Sequence, residues 1–242
     1  MEQVKQKRVF YFVTFLIALT IYIAAVVLSW VLLKLNEDMK LSIILGLSVV
    51  FVGVALWFRP RIVYYATVYQ WIRLKEGKEL VKKTDYNLAS AAFVQRIIEQ
   101  KFKPYKDNQD FLIAYRHIRD PKELALKRGS LEVIVLLKDD NATFENPFVS
   151  NAINQIEESL RTDRKRFSSY VVLQIKLVDE ITGELIEKAD QVVFDKHSFV
   201  RVSVINVLYA NKTKSLYYLH NKEYYPSFHY QYALSLLESL IL

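Results

Sequence analysis

The chain has 242 residues, a formal net charge of +7 and no cysteine. The absence of cysteine excludes a disulfide framework and any thiolate-bound metal. Much of the excess Lys and Arg flanks apolar segments, which favours contact with an anionic membrane surface and argues against nucleic acid as the partner.

Two long apolar runs open the chain. Residues 9–33 and 41–58 contain no charged side chain. Because a helix rises about 1.5 Å per residue, about 20 apolar residues cross a bilayer. The first run is longer than the roughly 7–15 apolar residues of a cleaved signal peptide, and a second run follows a short loop. The sequence therefore predicts a transmembrane hairpin over residues 1–58.

The positions of Lys and Arg predict which side of the membrane each segment faces. Three precede the first run, two lie in the loop, and seven follow in residues 59–83. Since cytoplasmic flanks carry the excess of positive charge, we expect a plasma-membrane protein with both termini in the cytoplasm. The two runs lack the charged residues typical of ion or proton paths. Small residues at helical spacing permit close helix contact, either between the two runs or between copies of the chain: Ala25, Ser29, Gly46 and Gly53.

Residues 59–83 are predicted to form a juxtamembrane amphipathic helix and a linker. Apolar positions recur at helical spacing over residues 61–81, and Gly77 with Lys82 and Lys83 marks the linker. Cationic and aromatic side chains suit the headgroup region. The membrane-interface candidates are Arg59, Arg61, Tyr64, Tyr65 and Trp71. Packing of this helix on the following domain is the alternative.

Residues 84–242 are predicted to form one α+β domain, in which helices flank a mostly antiparallel sheet. The predicted helices cover residues 86–103, 148–162 and 227–242, and the predicted strands cover 111–118, 131–137, 170–178, 184–194, 199–209 and 215–220. Residues 131–137 are almost wholly apolar, which is typical of a central strand. A polar turn is expected at 106–110, a break at Asp120 and a hairpin turn at Thr182–Gly183. The last helix is expected to dock on the sheet, with a contact between copies of the chain as the alternative.

Two groups of residues are candidates for binding a partner or a small anionic ligand. One is a basic cluster at the end of a predicted helix, and the other lies in a tyrosine-rich region, where aromatic rings with a polar end favour recognition. The candidates are Arg161, Arg164, Lys165, Arg166, Tyr217, Tyr224 and Tyr225.

No motif for a catalytic centre, a cofactor or a metal site is found. His220, Glu223 and His229 lie close in sequence, but their spacing matches no compact ligand pair and Pro226 interrupts it.

One further pattern invites a comparison with enzymes. Gln174 and Lys176 on one strand resemble the arrangement of restriction-nuclease-like folds, for which Glu132 and Asp139 are the nearby carboxylates. Polar residues alternating on a solvated strand face give the same pattern, so we expect Lys176→Ala to leave function intact.

Two functional hypotheses follow. The first is a non-enzymatic membrane protein whose cytoplasmic domain binds a partner or small anionic ligand, as an oligomeric effector or accessory subunit. Its layout resembles that of bacterial two-span anti-phage effectors, in which a cytoplasmic domain senses a nucleotide signal. The second is a membrane-tethered metal-dependent hydrolase or nuclease. The small residues of the hairpin, the tyrosines and the apolar C-terminal helix predict a homo-oligomer.

Overall fold

The computed structural model describes residues 2–32, 36–77, 82–84, 86–119, 129–139, 141–165, 167–197 and 200–241. Over these residues the chain is α+β, with six α-helices and eight β-strands. It divides into two compact units, Met1–Arg73 and Leu74–Leu242. The expected break at Asp120 lies outside the described residues.

The first unit is built from two long helices. Helix α1 covers Glu2–Leu32 and helix α2 covers Glu37–Glu76. Each contains a stretch of mean hydropathy 2.5, of which 0% and 6% is buried, so both are long and apolar enough to cross a membrane. The predicted juxtamembrane helix is a continuation of α2, which runs through Pro60. The last residues of α2, from Leu74 onward, belong to the second unit.

Aromatic and hydroxyl side chains join α1 to α2. The Tyr22 hydroxyl lies 2.8 Å from Ser48 Oγ, and the Tyr22 ring stacks on Phe51 at a centroid distance of 4.5 Å. A Cβ atom added to Gly46 or Gly53 would meet no atom within 4 Å. The two glycines therefore do not form the contact with α1. Several hydroxyls donate to the backbone carbonyl four residues earlier, as Ser and Thr commonly do in helices: Thr14, Thr20, Ser42 and Ser48.

The second unit contains one mixed sheet in the order β1-β8-β7-β5-β4-β3-β2, with β6 paired to β7. The strands are β1 Lys82–Lys83, β2 Lys103–Asp107, β3 Phe111–Ile118, β4 Gly129–Leu137, β5 Phe167–Val178, β6 Val193–His197, β7 Val200–Ala210 and β8 Ser215–Tyr218. The three central strands β4, β5 and β7 are parallel, whereas the outer pairs are antiparallel. The sheet is therefore mixed rather than simply antiparallel.

Four helices belong to this unit: α3 Ala91–Glu99, α4 Pro147–Thr162, α5 Gly183–Ala189 and α6 Phe228–Ile241. The predicted hairpin at Thr182–Gly183 is wrong. The Thr182 hydroxyl accepts a hydrogen bond from Leu185 N at 3.4 Å and caps α5, so the chain leaves β5 through a helix. Thr is a common helix N-cap. Helix α5 and β6 together connect β5 to its parallel neighbour β7, which a tight turn cannot do.

Two shorter predictions are also corrected. The helix expected over residues 86–103 is confined to α3, because Ser90 caps it and Lys101 takes a positive φ of 65° after it. Strand β2 occupies part of the expected polar turn, and the lysine pair expected in the linker forms β1 against β8.

Helices cover both faces of the sheet. Helices α4 and α5 lie on one face, where buried residues of α4 pack on Leu131, Val133 and Val135 of β4. Helix α6 packs on the other face against β5 and β7, which confirms the expected docking of the C-terminal helix. Buried apolar area on both faces is the main source of stability for such a sheet.

The outer strands have the features of protected edges. Strand β1 has two residues, and β2 is exposed along its whole length. Strand β2 carries Lys103, Pro104 and Lys106, and its register with β3 shifts between Pro104 and Lys106. Short strands, lysine, proline and bulges all oppose pairing with a further strand.

Candidate functional site

A cavity of about 500 Å³ opens where the parallel strands β4 and β5 end. The loop between β4 and α4 supplies one wall, α5 and the residue after its C-cap supply the other, and β5 supplies one side chain between them. The lining residues are Asn141, Ala142, Thr143, Phe144, Glu145, Lys176, Leu185, Lys188 and Gln191. Ligands of open α/β sheets bind outside the carboxyl ends of parallel strands, which is where this cavity lies.

Lys176 projects from the central strand into this region. It is flanked in register by Leu137 of β4 and Leu208 of β7, and its exposed fraction is only 7%. The interpretation of Lys176 as a residue of a solvated face is therefore wrong. A strand with parallel neighbours on both sides is covered on both faces, so a polar residue on it is buried whatever its alternation suggests.

Two amide side chains lie on the same sheet face as Lys176. Gln174 and Asn206 are neighbours in register on β5 and β7. Asn206 Nδ2 donates to the backbone oxygen of the cavity residue Gln191 at 2.9 Å. Among the described atoms, Gln174 Oε1 and Asn206 Oδ1 have no hydrogen-bond donor. Buried carbonyl oxygens of this kind are commonly satisfied by bound water.

The described part of the cavity lining combines apolar surface with more positive than negative side chains. Phe144 and Leu185 are partly buried and pack against the core beneath α5. Among the described lining residues, two are lysines, Lys176 and Lys188, and one is a carboxylate, Glu145. Lys188 also pairs with Glu184 at 2.6 Å on the exposed side of α5. Such a lining can hold the apolar body of a small molecule and attract its anionic group.

The predicted basic cluster lies at the other end of α4 from the cavity. Arg161 pairs with Glu157 at 2.5 Å and Lys165 pairs with Asp163 at 3.0 Å, while Arg164 is exposed. Arg166 lies outside the described residues. The cluster is thus partly used in surface ion pairs, which stabilise a fold little.

The predicted tyrosines are divided between interior and surface. Tyr217 is buried on β8 and donates its hydroxyl hydrogen to Asp190 Oδ1. Burial, followed by this hydrogen bond, raises the pKa of Tyr217. Tyr224 and Tyr225 are half-buried in the loop before α6, where Tyr225 lies against the His220 ring at 6.1 Å. None of the three lines the cavity.

The predicted membrane-interface residues all lie on α2 within the first unit. These are Arg59, Arg61, Tyr64, Tyr65 and Trp71. The Arg61 guanidinium lies 3.7 Å from the centroid of the Trp57 ring and donates to the Trp57 carbonyl at 2.8 Å. The Tyr65 ring stacks on Tyr11 of α1 at 5.3 Å.

Of the carboxylates considered for a nuclease, Glu132 is separated from Lys176 by the sheet. Glu132 is fully buried on the opposite sheet face from Lys176, where it binds Arg116 and accepts a hydrogen bond from the Tyr232 hydroxyl. Asp139 follows β4 and accepts a hydrogen bond from Asn141 N at 2.9 Å. Within the described residues no group of three His, Asp or Glu side chains is placed to hold a metal ion.

A buried Ser-His network was not predicted from the sequence. His229, in the first turn of α6, lies between Ser169 of β5 and Ser203 of β7; its Nδ1 is 2.7 Å from Ser203 Oγ, and its Nε2 contacts Ser169 Oγ. Ser130 Oγ of β4 lies 3.1 Å from Ser169 Oγ. All four residues are buried, so we assign the network to the attachment of α6 rather than to catalysis.

No protein-family model matches the chain, and comparisons with curated proteins and with solved structures gave no match. The functional argument therefore starts from the cavity itself.

The stability of the protein is expected to fall when His229 can be protonated in the unfolded state. Burial, assisted by the Arg201 charge, lowers the pKa of His229 to about 4 from its ordinary value of 6.5. Above pH 6.5 the imidazole is neutral in both states and its contribution to stability is complete. Between pH 6.5 and about 4 the unfolded chain binds a proton that the folded chain excludes, which lowers the free energy of unfolding by about 3 kcal/mol in total.

Chemical unfolding of the full-length protein at pH 7, 6 and 5 measures this effect. His229→Gln should lose the part of the pH dependence of unfolding that comes from His229. His117→Gln, at a half-buried residue of β3, should keep that pH dependence. An equal pH dependence in the wild type and His229→Gln would contradict the assignment.

Proposed function

We propose that the chain is a membrane-anchored, non-enzymatic protein whose C-terminal domain binds a small organic anion in the cavity beside Lys176. In this proposal α1 and α2 are the anchor, and the domain that follows them is an oligomeric effector or accessory subunit controlled by the ligand. The observation that carries the proposal is a nearly buried lysine at the floor of a ligand-sized cavity.

The size and position of the cavity support a small ligand. Its volume of about 500 Å³ lies within the range of roughly 300–1,000 Å³ that is usual for small-molecule sites. The loop of residues 141–145 and helix α5 frame it at the carboxyl ends of β4 and β5. Helix α5 forms one wall, and the loop that forms the other is held at its ends by β4 and α4.

The charge of Lys176 supports an anion. A nearly buried ammonium group that lines a cavity attracts an anion strongly, because little solvent screens the two charges. A carboxylate or phosphate of the ligand accepts charge-assisted hydrogen bonds from lysine. Phe144 and Leu185 offer apolar surface for the rest of the ligand.

Replacing Lys176 should weaken anion binding. We expect the full-length protein in detergent to bind phenyl phosphate, and Lys176→Met to bind it between about tenfold and a hundredfold more weakly, since a hydrogen bond to a charged group contributes about 1.5–3 kcal/mol. Isothermal titration calorimetry, with protein-free micelles as the blank, measures both affinities.

The matched control for this test is the double variant Arg164→Ala, Lys165→Ala, which removes positive charge from the exposed basic cluster. It should bind phenyl phosphate as the wild type does. Loss of binding in the double variant alone would place the anion at the basic cluster. Absence of binding by the wild type would overturn the proposal.

The distribution of positive charge supports a topology with both termini in the cytoplasm, at the plasma membrane. Alkaline phosphatase fused after Leu242 should be inactive, because that enzyme needs an oxidising compartment, and green fluorescent protein at the same place should fluoresce. Active phosphatase together with a dark fluorescent fusion would show that the domain lies outside.

Self-association is the remaining part of the proposal. Gly46 and Gly53 do not contact α1, so this part of α2 offers a flat surface on which a helix of a second copy can pack closely. The protein in mild detergent should therefore have a mass above that of one chain, and Gly46→Leu with Gly53→Leu should lower it. A single-chain mass in several detergents would contradict this.

A further inference from the structure

The last turn of α2 contacts the wall of the proposed anion site. Leu74 is fully buried in the second unit, and Lys75 Nζ lies 2.9 Å from Asp190 Oδ2. A Cβ atom added to Gly77 would lie 2.3 Å from Asn221 Nδ2, so the chain after α2 passes too close to this buried amide for a larger residue. The end of α2 is therefore closely packed within the second unit.

Asp190 occupies a position that influences the cavity. It is the C-cap of α5, and its exposed fraction is 0%. Two lining residues flank it in sequence, Lys188 and Gln191. Asp190 is thus a buried negative charge beside a site that we propose to hold another negative charge.

Two electrostatic terms oppose a carboxylate at this place. The carbonyl groups at the C-terminus of a helix carry partial negative charge, so an acidic residue there is unfavourable. A buried carboxylate also repels an anion nearby far more strongly than an exposed one, because little solvent screens the two charges. Lys75 balances the charge of Asp190, while Tyr217 supplies a neutral hydrogen bond to the same carboxylate.

We infer that Lys75, in the last turn of α2, is a specificity-determining residue of the cavity: by neutralising Asp190 it makes the site acceptable to an anionic ligand. The inference rests on the proposed function, since it names the residue that permits anion binding at that site. The linkage is reciprocal, so an anion in the cavity strengthens the contact between Lys75 and Asp190.

Removing the charge of Lys75 tests the inference. Lys75→Met in the full-length protein should bind phenyl phosphate on the order of tenfold more weakly than the wild type, within the usual range for coupled sites. Lys75→Arg keeps the charge and should bind within about twofold of the wild type. Lys212→Met removes the same charge from a surface pair with Asp179, in which both side chains are 73% exposed, and should leave the affinity unchanged.

A second substitution separates repulsion from a loss of packing. Asp190→Asn keeps an oxygen for the Tyr217 hydroxyl and removes the negative charge, so it should bind phenyl phosphate at least as tightly as the wild type. In the double variant Lys75→Met, Asp190→Asn, affinity should return close to the wild-type value. If Lys75→Met does not fold, the affinity of Asp190→Asn for phenyl phosphate tests whether the charge of Asp190 repels the anion.

The outcomes distinguish the two proposals. A wild type that binds phenyl phosphate, with Lys75→Met binding it equally well, overturns the role of Lys75 and leaves the anion site standing. Weaker binding by Asp190→Asn than by the wild type also overturns that role. A wild type that does not bind the probe at all overturns the anion site.

Discussion

Strand β5 has parallel neighbours on both sides, and most of the second unit follows from this constraint. Parallel strands cannot be joined by a tight turn, so the chain returns from β4 to β5 through α4, and from β5 to β7 through α5 and β6. Those helices cover one face and α6 covers the other. Every polar side chain on β5 then needs a partner inside the protein. Ser169 finds one in His229 on the α6 face. On the α4 and α5 face, Lys176 lies at the cavity, where the ends of the parallel strands leave space between the loop after β4 and the wall formed by α5.

The same constraint explains which parts of the fold the sequence predicts. The apolar run of β4 predicts a buried central strand, and the structure has one. The two apolar N-terminal runs predict two long helices, and the structure has these as well. The Thr182–Gly183 dipeptide does not predict its own structure, because the same residues are common in hairpin turns and at helix N-termini. Only the pairing of the strands shows which of the two is formed. The prediction that Gln174 and Lys176 lie on a solvated face is wrong for a related reason. Alternating polar and apolar residues indicate a half-exposed strand, but they do not reveal whether a helix covers the polar face.

The candidate site was harder to predict than the fold because its residues are far apart in sequence. Asn141, Lys176 and Gln191 come from three segments, which the pairing of β4 with β5 and the contacts of α5 and Gln191 with β7 bring together. Two sequence features suggested a binding site, namely a basic run at the end of α4 and a set of tyrosines. Both reflect the local composition of the chain and not the positions of residues in the fold. The structure uses part of that basic run in exposed ion pairs and buries Tyr217 against Asp190. The more useful signal was Lys176, a charged side chain between Ile175 and Leu177 in a predicted strand, because such a residue is drawn into the interior when helices cover both faces of the sheet.

The protected strand β2 has a consequence for how copies of the chain can meet. Proteins held in a bilayer diffuse in two dimensions, and their local concentration is far above that of the same number of molecules in solution. An open sheet under those conditions is at risk of joining edge to edge into fibres. Lysine, proline and the register shift at β2 oppose this at one end of the strand order, and the two-residue strand β1 offers little to pair with at the other. With α1 and α2 in a bilayer, as we propose, the domains can then crowd together without joining their sheets through β1 or β2.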